Sequence, residues 1–506
     1  MALFNNLGFN KHPFTKTNAD EEEYLDQYFV PPPFFDAIIG DALDPTSSIV
    51  LAPRGAGKTA QRRMVEAKSI ELGYLAVTYD RFEFNGVQKV TDVTLQYHLR
   101  NIITRVLLSL LSYMSSNMDV VKNLNKEEKK ELKIFIQTYL GEMTGNNIQE
   151  IISELKALPE KFKEFWKDNV GFLESFVNVA MKHFDLENID LPKAKQEEKK
   201  LSETYKHQLE LLYILSSKMG FKSIYILVDK PDETEQTGNH PEKTYSLIQP
   251  MIRDLELLGI NGYCFKFFLW DRIKPFYQKD ARPDRVSEYN LNWNRSNLKK
   301  ALSLRIKTYS NNVHECFDDL MDSPCGIDDI ICLLANGSPR NMVRLCEKIF
   351  AIQGDRDPTA TKISINTVDM ASIDYCDMII KETYGEQITK DIQRIGREIF
   401  TTNFVANEIL KITTNGARSK IKVWSDIGIV SEIGKASVPT STKPVNLYCV
   451  VDGAAVRLIN RAKPLNDFIK DSWLTCSYCD KDNLVDIDLF PEANEPICRN
   501  CSRPLI

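Results

Sequence analysis

Leu51-Ala52-Pro53-Arg54-Gly55-Ala56-Gly57-Lys58-Thr59 is the stretch on which the reading of this chain turns. An apolar run, Ser48-Ile49-Val50-Leu51, leads into it and helical sequence follows, so it reads as a strand-to-helix turn. Small residues there let successive backbone N–H groups curl around phosphate oxygens, and the helix N-terminus adds the positive end of its dipole. Lys58 has the reach for β- and γ-phosphates, and the Thr59 hydroxyl is a Mg²⁺ ligand. The expected nucleotide-binding residues are therefore Pro53, Arg54, Gly55, Ala56, Gly57, Lys58, Thr59 and Ala60. Ala52 stands where the pattern usually has glycine, which is tolerable if φ stays negative at that position.

A phosphate loop needs a carboxylate at the end of a neighbouring strand. Ser223-Ile224-Tyr225-Ile226-Leu227-Val228-Asp229 supplies one, followed by Lys230-Pro231-Asp232-Glu233. Asp229 is placed to hold Mg²⁺ through water, and Glu233 or else Asp232 would polarise an attacking water. A further strand, Tyr263 to Leu269, ends in Trp270-Asp271-Arg272, where Arg272 or Asp271 would lie beside a γ-phosphate. Arg282 and Arg285 follow in a polar loop, from which they could act across a subunit interface. In Asn336-Gly337-Ser338-Pro339-Arg340-Asn341, glycine ends one helix, Ser338 caps the next and proline fits its first turn. Arg340 in that turn opposes the helix dipole, which a bound triphosphate would offset.

Working outward, Leu75 to Tyr79 reads as a second strand, Leu95 to Met219 as helical, and Leu298 to Tyr309 and Ile327 to Phe350 as helical. The expected fold is α/β: a parallel P-loop NTPase sheet with a helical insertion (about 95–220) between its second and third strands, then a helical lid. With 506 residues, 43% hydrophobic and 26% charged, the chain is too long for one core and too apolar for disorder, so about three domains are expected. A net charge of −6 excludes a polybasic coat protein and makes any basic surface local. The longest apolar stretch, Ile102 to Met114, is broken by Arg105, and the first residues lack a signal-peptide pattern. Single cysteines scattered from Cys264 to Cys449 fit a reducing compartment, so a cytoplasmic protein without membrane attachment is expected.

In this order, the motifs resemble the AAA+/STAND class of P-loop ATPases, in the branch similar to origin-recognition initiators. The two-residue gap between Asp229 and Asp232 is closer to STAND and KAP-type members. The opening is similar to bacterial members of that broad group: His12-Pro13-Phe14, then Ala19-Asp20-Glu21, then Tyr28-Phe29-Val30-Pro31-Pro32. The resemblance implies ATP as the nucleotide, with catalytic roles for Lys58, Asp229, Glu233 or Asp232, Arg272 and Arg340. It also implies a lead segment over the adenine, Arg340 reaching the γ-phosphate from the lid, and a homo-oligomer in the ATP state. Bacterial relatives in defence-type gene neighbourhoods imply an antiviral role.

Residues 386–465 hold twelve Lys+Arg and seven Asp+Glu, a local net of +5. Phe404 to Ile412 reads as a helix, Thr413 to Gly416 as a turn, and Ala417 to Trp424 as a second helix carrying Arg418, Lys420 and Lys422. Ile429 to Ile433 and Asn446 to Val451 would pair around a polar wing. That order resembles a winged helix, whose second helix would enter a DNA major groove, or else serve protein contacts. Cys476-x₂-Cys479 and Cys498-x₂-Cys501 have the spacing of a zinc ribbon, four thiolates closing a structural Zn²⁺ site. The expected division is thus 1–295 ATPase core, 296–385 lid, 386–465 winged helix and 466–506 zinc ribbon. Six histidines without a triad leave other hydrolytic chemistry unsupported. The expected function is an ATP-dependent switch acting on a nucleic acid or protein partner. The alternative is a low-turnover scaffold or sensor that recruits an effector protein.

Overall fold

The computed structural model describes residues 2–84, 87–141, 151, 180–184, 186–187, 201–282, 284–436, 444–470, 473–484, 497–498 and 501–505. Much of the expected insertion between 142 and 200, and the tip of the expected wing at 437–443, lie outside the described residues. The chain divides into two compact units. One comprises Pro31–Arg54 and Lys58–Leu291, the other Met1–Val30, Gly55–Gly57 and Asn292–Ile506.

The first unit holds a five-stranded sheet built from β1 (Ser48–Ala52), β2 (Tyr74–Tyr79), β3 (Ser223–Asp229), β4 (Tyr263–Trp270) and β5 (Ser287–Asn290), in the order β2-β3-β4-β1-β5. Every neighbouring pair is parallel. Strands buried on both faces must be apolar throughout, which is why the first three are buried along their whole length and were legible as unbroken runs. Strand β5, Ser-Glu-Tyr-Asn, was not expected; it is a polar, partly exposed edge strand with no apolar run to read. The order places β4 between the strand feeding the phosphate loop and the strand ending in Asp229. The carboxyl ends of an open parallel sheet are where such folds bind ligands.

Within the insertion, Leu95–Ser116, Lys126–Leu140 and Leu201–Lys218 are helices. Asn125 and Glu128 form a capping box at the start of the second. Their buried residues, among them Ile103, Leu107, Leu111, Ile136 and Leu212, join Val77, Ile226 and Phe265 of the sheet in one apolar cluster.

In the second unit, the helical stretch expected at 327–350 is two helices, Ile327–Leu334 and Pro339–Arg356. The break falls at Asn336 and Gly337, both with left-handed φ, and Ser338 caps the new helix by accepting from the Asn341 amide at 3.2 Å. The amino-terminal segment is tied to the helix Arg295–Tyr309, where Arg305 donates to Glu22 and to the Pro13 carbonyl. Further on, β6 (Ile399–Thr401), β7 (Val430–Ala436) and β8 (Val445–Val450) form an antiparallel sheet in the order β6-β8-β7. Against the expectation of a turn at 413–416, Thr413 caps a helix Thr414–Asp426, accepting from the Gly416 amide at 3.2 Å. The expected helix at 404–412 is wound as a π-helix from Val405 to Leu410. A hairpin of β9 (Trp473–Thr475) and β10 (Asp482–Leu484) carries the first cysteine pair. Among the described residues no helix is long and apolar enough to cross a membrane.

Candidate functional site

Ala52 is the last residue of β1, in extended backbone, so the missing glycine costs the turn nothing. The left-handed positions are instead Gly55 (φ 78°) and Gly57 (φ 91°). A Cβ on Gly55 would meet Ser338 Oγ at 2.7 Å and Arg340 Cβ at 3.0 Å, so glycine is required there twice over. The Arg340 amide donates to the Gly55 carbonyl at 3.2 Å, while the residue as a whole is exposed. Lys58 opens the helix Lys58–Ala67 and is buried, its Nζ lying 3.3 Å from the carbonyls of Ala52 and Pro53. Burial pushes its pKa down, opposed by the carboxylates of Asp232, Asp229 and Asp271.

At the tip of β3, Asp229 is fully buried and accepts from the Thr59 hydroxyl at 2.9 Å. Lys230 turns away in the left-handed region (φ 58°), and its amide caps Asp229 Oδ1 at 3.0 Å. Behind them lies a residue the sequence reading missed. Arg62, with no exposed surface, donates to Asp229 at 3.3 Å, to Glu66 at 3.0 Å and to Thr78 at 3.2 Å. Burial raises the Asp229 pKa, and Arg62, Lys230 and Thr59 pull it back. A hydroxyl and a carboxylate converging beside a phosphate-type loop fit Mg²⁺, whose hard charge takes one or two such oxygens and keeps several waters. Thr59 and Asp229 would hold it.

The two candidate water-polarising carboxylates differ in surroundings. Asp232 is buried and accepts from Arg54 Nε at 3.0 Å and Nη2 at 2.8 Å. Glu233 closes the same short turn, Pro231–Glu233, and is exposed. Beyond β4, Arg272 is exposed, whereas Asp271 Oδ1 is buried without a hydrogen bond. Arg282 and Arg285 both pair with Asp284 of their own loop, at 3.2 and 3.6 Å.

Cys476, Cys479, Cys498 and Cys501 bring their sulfurs within 4.8 Å of one another. Cys476–Cys501 and Cys479–Cys498 are 3.6 and 3.5 Å apart. Tetrahedral Zn–S bonds of about 2.3 Å need sulfurs roughly 3.8 Å apart, so the four thiolates fit a structural zinc. On the helix Thr414–Asp426, Ala417, Ile421 and Trp424 face the core, while Arg418 and Lys422 are exposed one turn apart. Lys420 is instead committed to the buried Asp391, at 2.6 Å.

No protein-family model matches the chain, and no curated protein does. Among solved structures, the Aeropyrum pernix ORC1 protein in complex with DNA is 11% identical over 91% of this chain and 100% of its own, with a TM-score of 0.35. The ORC2 protein of the same organism, in ADPNP–ADP complexes, is 11% identical over 88% and 98%, with a TM-score of 0.38. Cdc6p from Pyrobaculum aerophilum is 11% identical over 89% and 98%, with a TM-score of 0.34. Values this low assign no site residue, ligand or activity to the present chain.

Proposed function

We propose that the chain is an ATP-binding and hydrolysing switch of the AAA+ type, which couples nucleotide state to a nucleic-acid partner. One observation carries the reading: Thr59 at the end of the phosphate loop and Asp229 at the tip of β3 meet at 2.9 Å, where a Mg²⁺ bridging to phosphates would be held. Lys58 grips the β- and γ-phosphates, Glu233 polarises the attacking water, and Arg272 and Arg340 stabilise the transferred group. Residues 296–385 act as the lid, 386–465 as a winged helix on DNA, and 466–506 as a zinc ribbon; the ATP-bound form is a homo-oligomer. The test is ATP turnover measured with and without duplex DNA. Turnover in the wild type that vanishes in Lys58→Ala supports the switch, and undiminished turnover in that variant overturns it.

A second reading, a nucleotide-bound scaffold with very slow turnover that recruits an effector protein, draws support from Arg54. Its pairing with Asp232 occupies a carboxylate next to the one that must polarise water. Tight ATP binding with less than one turnover per hour, unaffected by DNA, would favour it.

A further inference from the structure

The indole N–H of Trp293 donates to the Ala56 carbonyl at 2.8 Å. A trans peptide is planar, so its C=O and the following N–H point in opposite directions. Anchoring the Ala56 oxygen therefore fixes where the Gly57 N–H points, and that amide belongs to the nest that would cradle a phosphate. Trp293 thus sets the aim of one phosphate donor from outside the loop.

The next two residues are held by the cysteine module. Asn294 caps the helix Arg295–Tyr309, accepting from the Asn297 amide at 2.7 Å, and its own amide donates to Asp480 at 3.0 Å. Arg295, whose side chain is 15% exposed, donates to Asp482 at 2.7 Å and to Thr475. An arginine in a first helical turn opposes the helix dipole, so Asp482 supplies the compensation. All three partners frame one knuckle. Thr475 precedes Cys476 and faces Asp482 across the β9–β10 hairpin, and the Asp480 amide closes the turn on the Cys476 carbonyl at 2.9 Å. A knuckle of this size keeps its shape through its metal rather than through an apolar core.

We propose that Trp293 and Arg295 are positioning residues through which the four-cysteine module holds the phosphate loop, so that zinc occupancy sets nucleotide affinity. The proposal rests on the nucleotide-binding reading given above. Linkage makes the effect reciprocal: if zinc strengthens nucleotide binding, nucleotide strengthens zinc binding by the same factor.

The experiment uses the full chain with a fluorescent ATP analogue and Mg²⁺, before and after zinc is withdrawn with a chelator, with zinc content assayed in parallel. Zinc loss weakens nucleotide affinity by about fivefold or more in the wild type, and bound nucleotide slows zinc release. Arg295→Ala still binds one zinc, starts at the weaker affinity and no longer responds to zinc; Arg295→Lys restores part of the response. Trp293→Phe keeps the ring without the N–H and gives the same uncoupled behaviour, which serves if Arg295→Ala does not fold. Nucleotide binding that is retained but indifferent to zinc overturns this proposal alone. A wild-type chain that binds no nucleotide overturns it together with the ATPase reading, and Lys58→Ala sets the baseline that separates these two results.

Discussion

Arg54 reaches out of the phosphate loop and grips Asp232 with two donors, at 3.0 and 2.8 Å, while its guanidinium lies 4.3 Å from the centre of the Trp270 ring. Its Nη2 also meets Asn239 at 2.6 Å. A bidentate, stacked arginine is not replaceable by lysine, and a carboxylate held this way has little freedom to deprotonate or orient a water. Asp232 is therefore an anchor of the loop, and the proposed switch assigns the water-polarising role to Glu233. Glu233→Gln is expected to lower kcat by about 10²–10⁴-fold with ATP affinity kept. Asp232→Asn should cost less than tenfold in kcat and act mainly through affinity. Single-turnover ATP hydrolysis checks both, and a larger loss in Asp232→Asn would reverse the assignment.

Strands β1 to β4 and the loop between β1 and its helix were legible because burial on both faces and phosphate geometry each impose a local pattern. The cysteine pairs were legible for the same reason. Partners distant in sequence leave no such trace. Arg54 was expected to bind nucleotide as part of the loop, and nothing in the sequence pointed to its pairing with Asp232 or its stacking on Trp270. Arg62 drew no reading from the sequence, yet it is wholly buried behind Asp229. Lys420 was grouped with Arg418 and Lys422 by charge alone, although its helix turns it towards Asp391.

His98 is buried between two oxygens, with Nε2 2.7 Å from the Leu247 carbonyl and Nδ1 2.9 Å from the Tyr79 hydroxyl. The carbonyl can only accept, so Nε2 carries the proton and Nδ1 accepts from Tyr79. Burial pushes the His98 pKa down to about 4. The unfolded chain then binds a proton that the folded chain refuses. This stability is fully present above about pH 6.5 and is lost as pH falls towards 4, amounting to roughly 3 kcal/mol. Urea midpoints of the wild type should fall over that window more steeply than those of His98→Gln.

Glu22 and Arg305 form a buried ion pair, reinforced by the Tyr309 hydroxyl donating to Glu22 at 3.1 Å and by the Tyr28 ring 4.8 Å from the guanidinium. Removing one partner strands the other charge, which costs about 3–5 kcal/mol. Glu22→Ala should therefore release the segment before Val30 to limited proteolysis at a concentration that leaves the wild type intact. Glu22→Gln, which still accepts a hydrogen bond, should release it less. Equal resistance in all three would show that the aromatic contacts of Phe14 and Phe350 hold the segment unaided.

The basic helix Thr414–Asp426 offers a test in which one of three neighbouring cations behaves differently from the other two. Arg418 and Lys422 are exposed one turn apart, on the side of the helix away from Ala417, Ile421 and Trp424. If that face meets DNA phosphates, each contributes to counterion release, so Arg418→Ala and Lys422→Ala should each weaken binding and flatten the plot of log affinity against log salt by about one unit. Lys420→Ala should leave that slope unchanged, because its ammonium is spent on Asp391, 97% of whose side-chain surface is covered. Its cost should appear instead as lowered thermal stability, since a buried carboxylate loses its cation. Fluorescence anisotropy on a labelled duplex at several salt concentrations, with melting curves of the same proteins, separates the two behaviours. A slope that falls equally in all three variants would show that Lys420 also meets phosphate, and that its pairing with Asp391 does not withdraw it from the binding face.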